Sequence, residues 1–470
     1  MDGRDLIDPP GWTLATQSIE AEQLRASLEI LHGRVPDGLR GTFYRNGPAR
    51  HALGSQRYHH WFDGDGMVQA FHFTDAGVEH YGRYVETHKH AAERAAGEFL
   101  YPAFGTDVPK ARESHPDARN PANTKVLAHH GRLLALWEGG SAHSLDPEHL
   151  ETEGPVVWSD ETAGLPFSAH PKVEPDGTLW NFGMRVTTGE LVLYKVGPDG
   201  CLDSADNVPL SGLRPMVHDF AVTRRWLVFL LPPLHFEPDR FYAGHCFLDC
   251  HRWVPEQPMR VLVVDKDDFA HRHWFELPAG FVFHLGGAWD DGDCVRLDYD
   301  RHYTPDIVTT AAREIMRGGP VGGMSAEATQ VSLDLRRGTA RQEGFAARGE
   351  FPALHPNWVG RRYRYRYGVA DTESASHPFQ NAIRRIDLES GRVQIYKFGP
   401  DAIAEEHVVV PKPAGRGEAD AWLVGTALDV AARRTRLTVF DAAAVNSGPV
   451  LEAALPYALP LGLHGDFAAA

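Results

Sequence analysis

The sequence predicts an all-β protein assembled from many short antiparallel strands, arranged either as a set of sandwiches or as a propeller. Three observations carry this. Apolar runs of four to six residues recur from about residue 130 to residue 440. Turn signals such as Asp176-Gly177, Asp199-Gly200 and Ser390-Gly391 separate many of them. Helical patterning is confined to short pieces, and 46 glycines and 33 prolines suit a chain that turns often.

Taken in order, residues 19–40 mix Glu20, Glu22 and Arg25 with Leu24, Leu28, Ile30 and Leu31, and Gly33 and Pro36 stop any helix early; the stretch reads as an entry segment. Gly41-Thr-Phe-Tyr-Arg-Asn-Gly-Pro48 alternates into a Gly-Pro turn. Asp63-Gly64 and Asp65-Gly66 form two tight turns ahead of the alternating strand Met67–Phe73, so the two strands read as a hairpin. Asp63–Gly66 lacks the further carboxylates of a calcium loop. Glu93–Leu100 is a short alanine-containing helix, followed by a loop with Pro102, Pro109 and Pro116. Strands are then expected at Leu133–Trp137, Thr178–Phe182, Leu191–Lys195, Trp226–Leu231, Arg260–Val264, Cys294–Asp298 and Thr329–Leu333. They continue at Ile383–Asp387, Val393–Tyr396, Trp422–Gly425 and Thr435–Phe440. Periodicity alone does not decide between sandwiches and a propeller, because no blade repeat is visible.

Composition narrows the function. With 47 basic and 63 acidic residues the net charge is 47 − 63 = −16, which excludes nucleic acid as an expected partner, since that binding needs Lys and Arg to neutralise phosphates. Cys201, Cys246, Cys250 and Cys294 make no CxxC and are too few for a disulfide framework, so they are expected to be buried, reduced and incidental. Residues 1–10 carry acidic groups where a leader needs basic ones and have no apolar core, which points to a cytoplasmic address. No stretch approaches the roughly 18 apolar residues of a spanning helix. Trp226–Leu231, broken after it by Pro232-Pro233, reads as a core strand in preference to a membrane-dipping patch. Peripheral contact with a membrane stays open, and so does the oligomeric state.

Twenty-six histidines give any one of them a surface or core role by default. His59-His60, His88-Lys-His90, His129-His130 and His271-Arg-His273 read as solvated loop. His170, His218, His284 and His464 differ: each sits at a turn or strand end flanked by small or apolar residues, and together they form the candidate ligand set for one metal ion. The first is in Ser168-Ala-His-Pro-Lys172, the second in His218-Asp-Phe220, the third in Val282-Phe-His-Leu-Gly286 and the last in Gly462-Leu-His-Gly-Asp466. Their separations of 48, 66 and 180 residues match no local metal motif. The apolar tail around His464 is unusual for a terminus, and a ligand there would tie it down.

These stretches, with Phe43-Tyr-Arg-Asn-Gly-Pro48, His60-Trp-Phe-Asp-Gly-Asp-Gly-Met67, Asn120-Pro-Ala-Asn-Thr124 and Leu133-Leu-Ala-Leu-Trp-Glu-Gly-Gly140, span nearly the whole chain. Together they resemble the carotenoid cleavage oxygenase family, and most of all its bacterial apocarotenoid oxygenases. The resemblance implies a seven-bladed β-propeller with a cap of loops and short helices over the metal face, formed as a single domain from residues 1–470. It implies that the four histidines bind one Fe(II), with dioxygen as co-substrate and an apolar polyene, a carotenoid or apocarotenoid, cleaved at a conjugated C=C bond to two carbonyl products. It also implies that Glu138, Glu350 and Glu406 support His218, His284 and His464, that His170 has no such partner, and that Thr124 lies beside the open metal positions. Glu405 precedes Glu406 where relatives usually have Gly, so the two could exchange roles; distance to Pro411 favours Glu406. Gly287-Ala288 stands where Asn-Ala is commoner, which points to a reshaped wall beside the metal.

The enzymatic rivals are a lignostilbene-type dioxygenase and an isomerohydrolase acting on retinyl esters; from another class comes a propeller that binds apocarotenoids without reaction. In stilbene-cleaving relatives Lys typically precedes the first supporting Glu, whereas this chain has Trp137. Trp offers a broad apolar face and one N–H donor, which suits a polyene in the substrate pocket better than a phenolate.

Overall fold

Six multi-stranded antiparallel sheets follow one another along the chain in the computed structural model, which describes residues 10–109, 111, 115–319, 321–322, 324–372 and 375–470. Residues 1–9, which carry most of the segment read as lacking a leader, lie outside them. Three sheets have four strands each. The first holds Lys125–His129, Arg132–Leu136, His143–Leu145 and Thr152–Pro155; the second runs from Lys172–Val173 to Leu202–Pro209; the third runs from Ala221–Val222 to Arg272–Leu277. A seven-stranded sheet then extends from Phe281–Asp291 to Val393–Lys397. Its long strand Thr339–Ala353 serves two blades: the first part pairs with Ala326–Asp334, and the part from Gly349 onward pairs with Tyr365–Ala370. Counting that sheet as two blades gives the seven-bladed propeller.

The termini close the ring twice. Glu29–Gly33 completes the sheet of Ala402–Pro411, Ala421–Asp429, Arg434–Asp441 and Pro449–Ala454. Gly465–Ala469 pairs with Gly41–Arg45 and forms one edge of the sheet that also holds Asp65–Thr74, Gly77–Tyr84 and Gln23–Ser27. Residues 19–40 are therefore two edge strands, not a mere entry segment; the sparse alternation in Gln23–Ser27 reflects an exposed outer edge. The C-terminal tail is tied by strand pairing.

All the predicted strands form, within a few residues at their ends. Trp226–Leu231 is buried at every position, because its two faces pack against neighbouring blades, as the stacked Phe220 and Phe229 and the edge-on Phe182 show. Burying a side chain of that size contributes about 1.5–3 kcal/mol, and the membrane-dipping reading falls away. Among the described residues no helix is long and apolar enough to cross a membrane.

Four expectations need correction. The short helix is His88–Ala96, capped by the Thr87 hydroxyl and ended by left-handed Gly97, so Phe99 and Leu100 lie beyond it. Asp63-Gly64 and Asp65-Gly66 are not two tight turns: Trp61–Asp63 is a short 3-10 helix, and the strand already begins at Asp65, paired with Arg50. Asp63 accepts hydrogen bonds from Gly105 N and Thr106 Oγ1, and Asp65 pairs with Lys89, which also pairs with Glu93, all of them buried. Burial pushes Asp63 up to about 6 even so. Three of the paired histidines read as solvated are buried: His60 bonds to Val308 O, His90 stacks on Tyr84, and His129 bonds to Gly177 O. Finally, the cysteines are all free, but only Cys246 and Cys250 are buried, and Cys201 is exposed.

Candidate metal centre

One short strand or strand end from each of several blades meets at the centre of the ring. Lys125–His129, Gly465–Ala469, Ala402–Pro411, the end of Thr339–Ala353, Phe281–Asp291 and Ala221–Val222 adjoin in that order. His170 and His218 sit just ahead of their blades' first strands. His170 is held by its backbone N–H on Ser168 Oγ, which in turn donates to Asn181. His464 is bracketed by the Phe-Tyr-Arg-Asn-Gly-Pro motif: Asn46 N donates to His464 O and Leu463 N to Asn46 O, while His464 N donates to Thr124 O.

His284 is inside a strand, and its direction comes from irregularity. Register shifts fall between Val282 and Leu285 and again between Leu285 and Ala288. A bulge turns a side chain away from the ordinary alternation. Gly286 and Gly287 pack directly against Asp298, Leu354 and Tyr363, so the wall at Gly287-Ala288 is filled by Leu354 and Tyr363.

The four rings converge. Their ligand atoms lie within 4.8 Å of one another and all four residues are buried. His170 Nε2 is 2.9 Å from His218 Nε2, and His284 Nε2 is 3.1 Å from His464 Nε2. The outer nitrogens face carboxylates: Glu138 contacts His218 Nδ1, Glu350 Oε2 lies 2.5 Å from His284 Nδ1, and Glu406 Oε1 lies 2.9 Å from His464 Nδ1. A carboxylate keeps the proton on Nδ1 and leaves the Nε2 lone pair facing inward. Four imidazoles with inward Nε2 atoms this close, and three carboxylates behind them, fit a metal ion.

Burial holds His464 at about 4 despite Glu406, and holds His170 well below the ordinary imidazole value with the other three rings adding to the effect. Burial opposes charge on His284 as well, but Glu350 outweighs it and raises that ring. The imidazoles in turn overcome burial and hold Glu350 and Glu406 below the usual carboxylate range. Among the described residues His170 has no carboxylate in hydrogen-bond range. Asp219, 3.9 Å from its Nδ1, is committed to Lys172 Nζ, Phe220 N and Leu285 N.

Glu405 and Glu406 take different jobs. Glu405 pairs with buried Arg45 at 2.8 Å and accepts from Gly462 N, whereas Glu406 spans His464 and Gly465 N. A register shift between Ala404 and His407 lets both adjacent side chains point inward.

Glu138, Glu350, His218, His284 and His464 open onto a cavity of about 860 Å³, counted to its open mouth. Ten of its eighteen lining residues are apolar, among them Trp61, Phe62, Phe104, Phe283, Ile307 and Trp137. Among the described residues no Tyr, Lys or Arg lines it. Thr124 lines it too, with its hydroxyl on Asn123 Oδ1. Trp137 is folded back over Gly139, where a Cβ would come within 2.6 Å of the indole. Gln380 and Phe351 complete the wall and were not singled out from sequence: Gln380 stands in no stretch with a chemical signature, and beside Phe351 only Glu350 was read as functional. His302, also unpredicted, donates from Nε2 to Glu350 Oε1, 2.9 Å away.

A second group, Asp107, Cys246 and Asp249, has ligand atoms equally close together. Arg313 is bonded to Asp249 and lies on the cysteine sulfur, so a cation already occupies that corner.

A family model described as retinal pigment epithelial membrane protein matches residues 16–469. The chain is 30% identical to apocarotenoid-15,15'-oxygenase of Synechocystis sp., over 98% of this chain and 96% of that protein. It is 29% identical to lignostilbene-alpha,beta-dioxygenase isozyme III of Sphingomonas paucimobilis, over 98% and 97%. A solved structure of a glutamate-to-glutamine mutant of the Synechocystis apocarotenoid oxygenase matches with a TM-score of 0.89 at 29% identity, covering 98% of this chain and 99% of that one. A match of this extent, on a chain whose four histidines meet on the axis of the same fold, means that the protein belongs to the carotenoid cleavage oxygenase family of the retinal pigment epithelial membrane protein and is an oxygenase.

Proposed function

We propose that the protein is a non-haem Fe(II) dioxygenase that cleaves a conjugated C=C bond of an apocarotenoid or carotenoid to two aldehyde or ketone products. The observation that carries the reading is the convergence of four imidazoles, three of which, His218, His284 and His464, line a largely apolar cavity. His170, His218, His284 and His464 would hold the ion, and Glu138, Glu350 and Glu406 would orient three of them and offset its charge. Ferrous iron supplies dioxygen activation when bound, which redox-inert zinc does not. In the overall reaction R–CH=CH–R′ and O2 give R–CHO and R′–CHO, so both oxygen atoms enter products and no external reductant is required.

The chain's own residues bind and orient. Trp61, Phe62, Phe104 and Phe283 give a polyene an apolar, water-excluding wall, to which Trp137 adds its indole. Thr124, beside His464 in the chain's packing, restricts what approaches the centre. The whole of residues 1–470 is read as one propeller domain.

A stilbene substrate would bring a phenol oxygen into the cavity, and among the described residues the lining offers it neither Lys nor Tyr. Iron-loaded enzyme should therefore convert apocarotenals or apocarotenols in aerobic buffer to two shorter carbonyl products, resolved by chromatography, with oxygen uptake. Efficient cleavage of 4-hydroxystilbenes with no apocarotenoid turnover would overturn the substrate assignment. Tight iron without any substrate-dependent oxygen uptake would identify a binding protein instead.

A further inference from the structure

Glu350 carries two imidazoles. Its Oε2 faces His284 Nδ1 and also accepts from Phe351 N at 2.8 Å, while its Oε1 meets His302 Nε2 at 2.9 Å. By contrast, the second oxygen of Glu406 is held by a backbone N–H, that of Gly465. We propose that His302 is a positioning residue for the metal centre, holding Glu350 so that Oε2 stays on His284. The inference rests on the reading of the four histidines as a metal site.

The surroundings explain why such a holder is needed. Glu350 is 2% exposed, so Oε1 without His302 would be buried and unpaired among the described residues, a costly state that the side chain would rotate to escape. Suitable donors are close. Arg366 and Arg384, both fully buried, lie within electrostatic reach of Glu350. They pair with Asp298 and Asp300, yet Arg366 Nη1 and Arg384 Nε and Nη1 have no hydrogen-bond partner. Two aspartates balance two arginines, which leaves the Glu350 charge for His284 only while the carboxylate keeps its present direction.

That direction is set at an irregular point. The register shifts between Glu350 and Ala353, and Phe351 adopts a left-handed backbone with φ of 53°, an uncommon conformation for a bulky residue. The backbone thus aims Glu350 into the ring centre, and His302 fixes its rotation from the other side. His302 itself is fixed at the end of Cys294–His302 by pairing with Phe281.

The test is Co(II) affinity of metal-free protein, read from ligand-field absorption, alongside thermal melts of the metal-free variants. His302→Leu should weaken Co(II) binding about tenfold, at the lower end of what loss of an outer partner costs. His302→Gln, whose amide reaches the same point as Nε2, should retain near-wild-type affinity. His302→Asn, polar but too short, should behave like Leu and carries the test if Leu does not fold. Wild-type affinity in Leu and Asn would overturn the proposal, as would equal loss in Gln and Asn. Failure of the wild-type protein to bind Co(II) at all would instead strike the metal-site reading.

Discussion

At the residue scale the chemistry divides between neighbours. Glu405 and Glu406 are adjacent, yet one neutralises Arg45 and the other orients His464. Glu406→Gln should lower metal affinity by about 10–100-fold with little change in the stability of metal-free protein. Glu405→Ala should do the reverse, costing about 3–5 kcal/mol because Arg45 is left buried and unpaired. Metal titration and denaturant melts check both, and exchanged phenotypes would reassign the two residues. Sequence reasoning favoured Glu406 from its distance to Pro411 and left an exchange with Glu405 open; in the structure Glu406 lies on His464 and Glu405 on Arg45. The alternation of a strand puts successive residues on opposite faces, so nothing in the sequence pattern shows two inward glutamates side by side. Likewise the four histidines that cluster here were legible through family motifs, whereas His302 and Gln380 stand in no motif and are found only by where the strands bring them.

At the element scale the strands that carry the site are the irregular ones. Regular strands such as Arg132–Leu136, Trp226–Leu231 and Arg434–Asp441 were readable because alternation or an unbroken apolar run marks them. Phe281–Asp291, Thr339–Ala353 and Ala402–Pro411 were not recognised as strands, and each has a register shift at its functional residue. A bulge breaks the period of two, so the feature that aims His284, Glu350 and Glu406 inward also hides their strands. Gly425 faces the bulge at Glu406, and a Cβ there would come within 2.3 Å of Glu406 O and 2.6 Å of the His407 ring. Gly425→Ala should therefore cost about 1–3 kcal/mol by overpacking and weaken metal binding by shifting Glu406. Gly322→Ala, which meets nothing within 4 Å, should leave both unchanged. Equal melts and equal metal affinity for the two variants would remove the bulge from the account.

At the scale of the whole molecule, closure belongs to strands. The N-terminal and C-terminal segments each complete a blade through backbone pairing, and apolar clusters fill the spaces between blades. The all-β class was plain from strand runs and turns, but the blade count was not, because one strand serves two blades and no blade repeats another's sequence. It took resemblance to supply seven. A ring closed in this way does not need its metal in order to fold, so His218→Ala should remain folded while losing the ion. The most direct test is anomalous diffraction at the iron edge from crystals loaded anaerobically with ferrous iron. One peak should appear, enclosed by Nε2 of His170, His218, His284 and His464, and it should be missing from His218→Ala crystals of the same fold. No peak at the four histidines, a peak at Asp107, Cys246 and Asp249 in its place, or undiminished iron in His218→Ala would contradict the four-histidine centre.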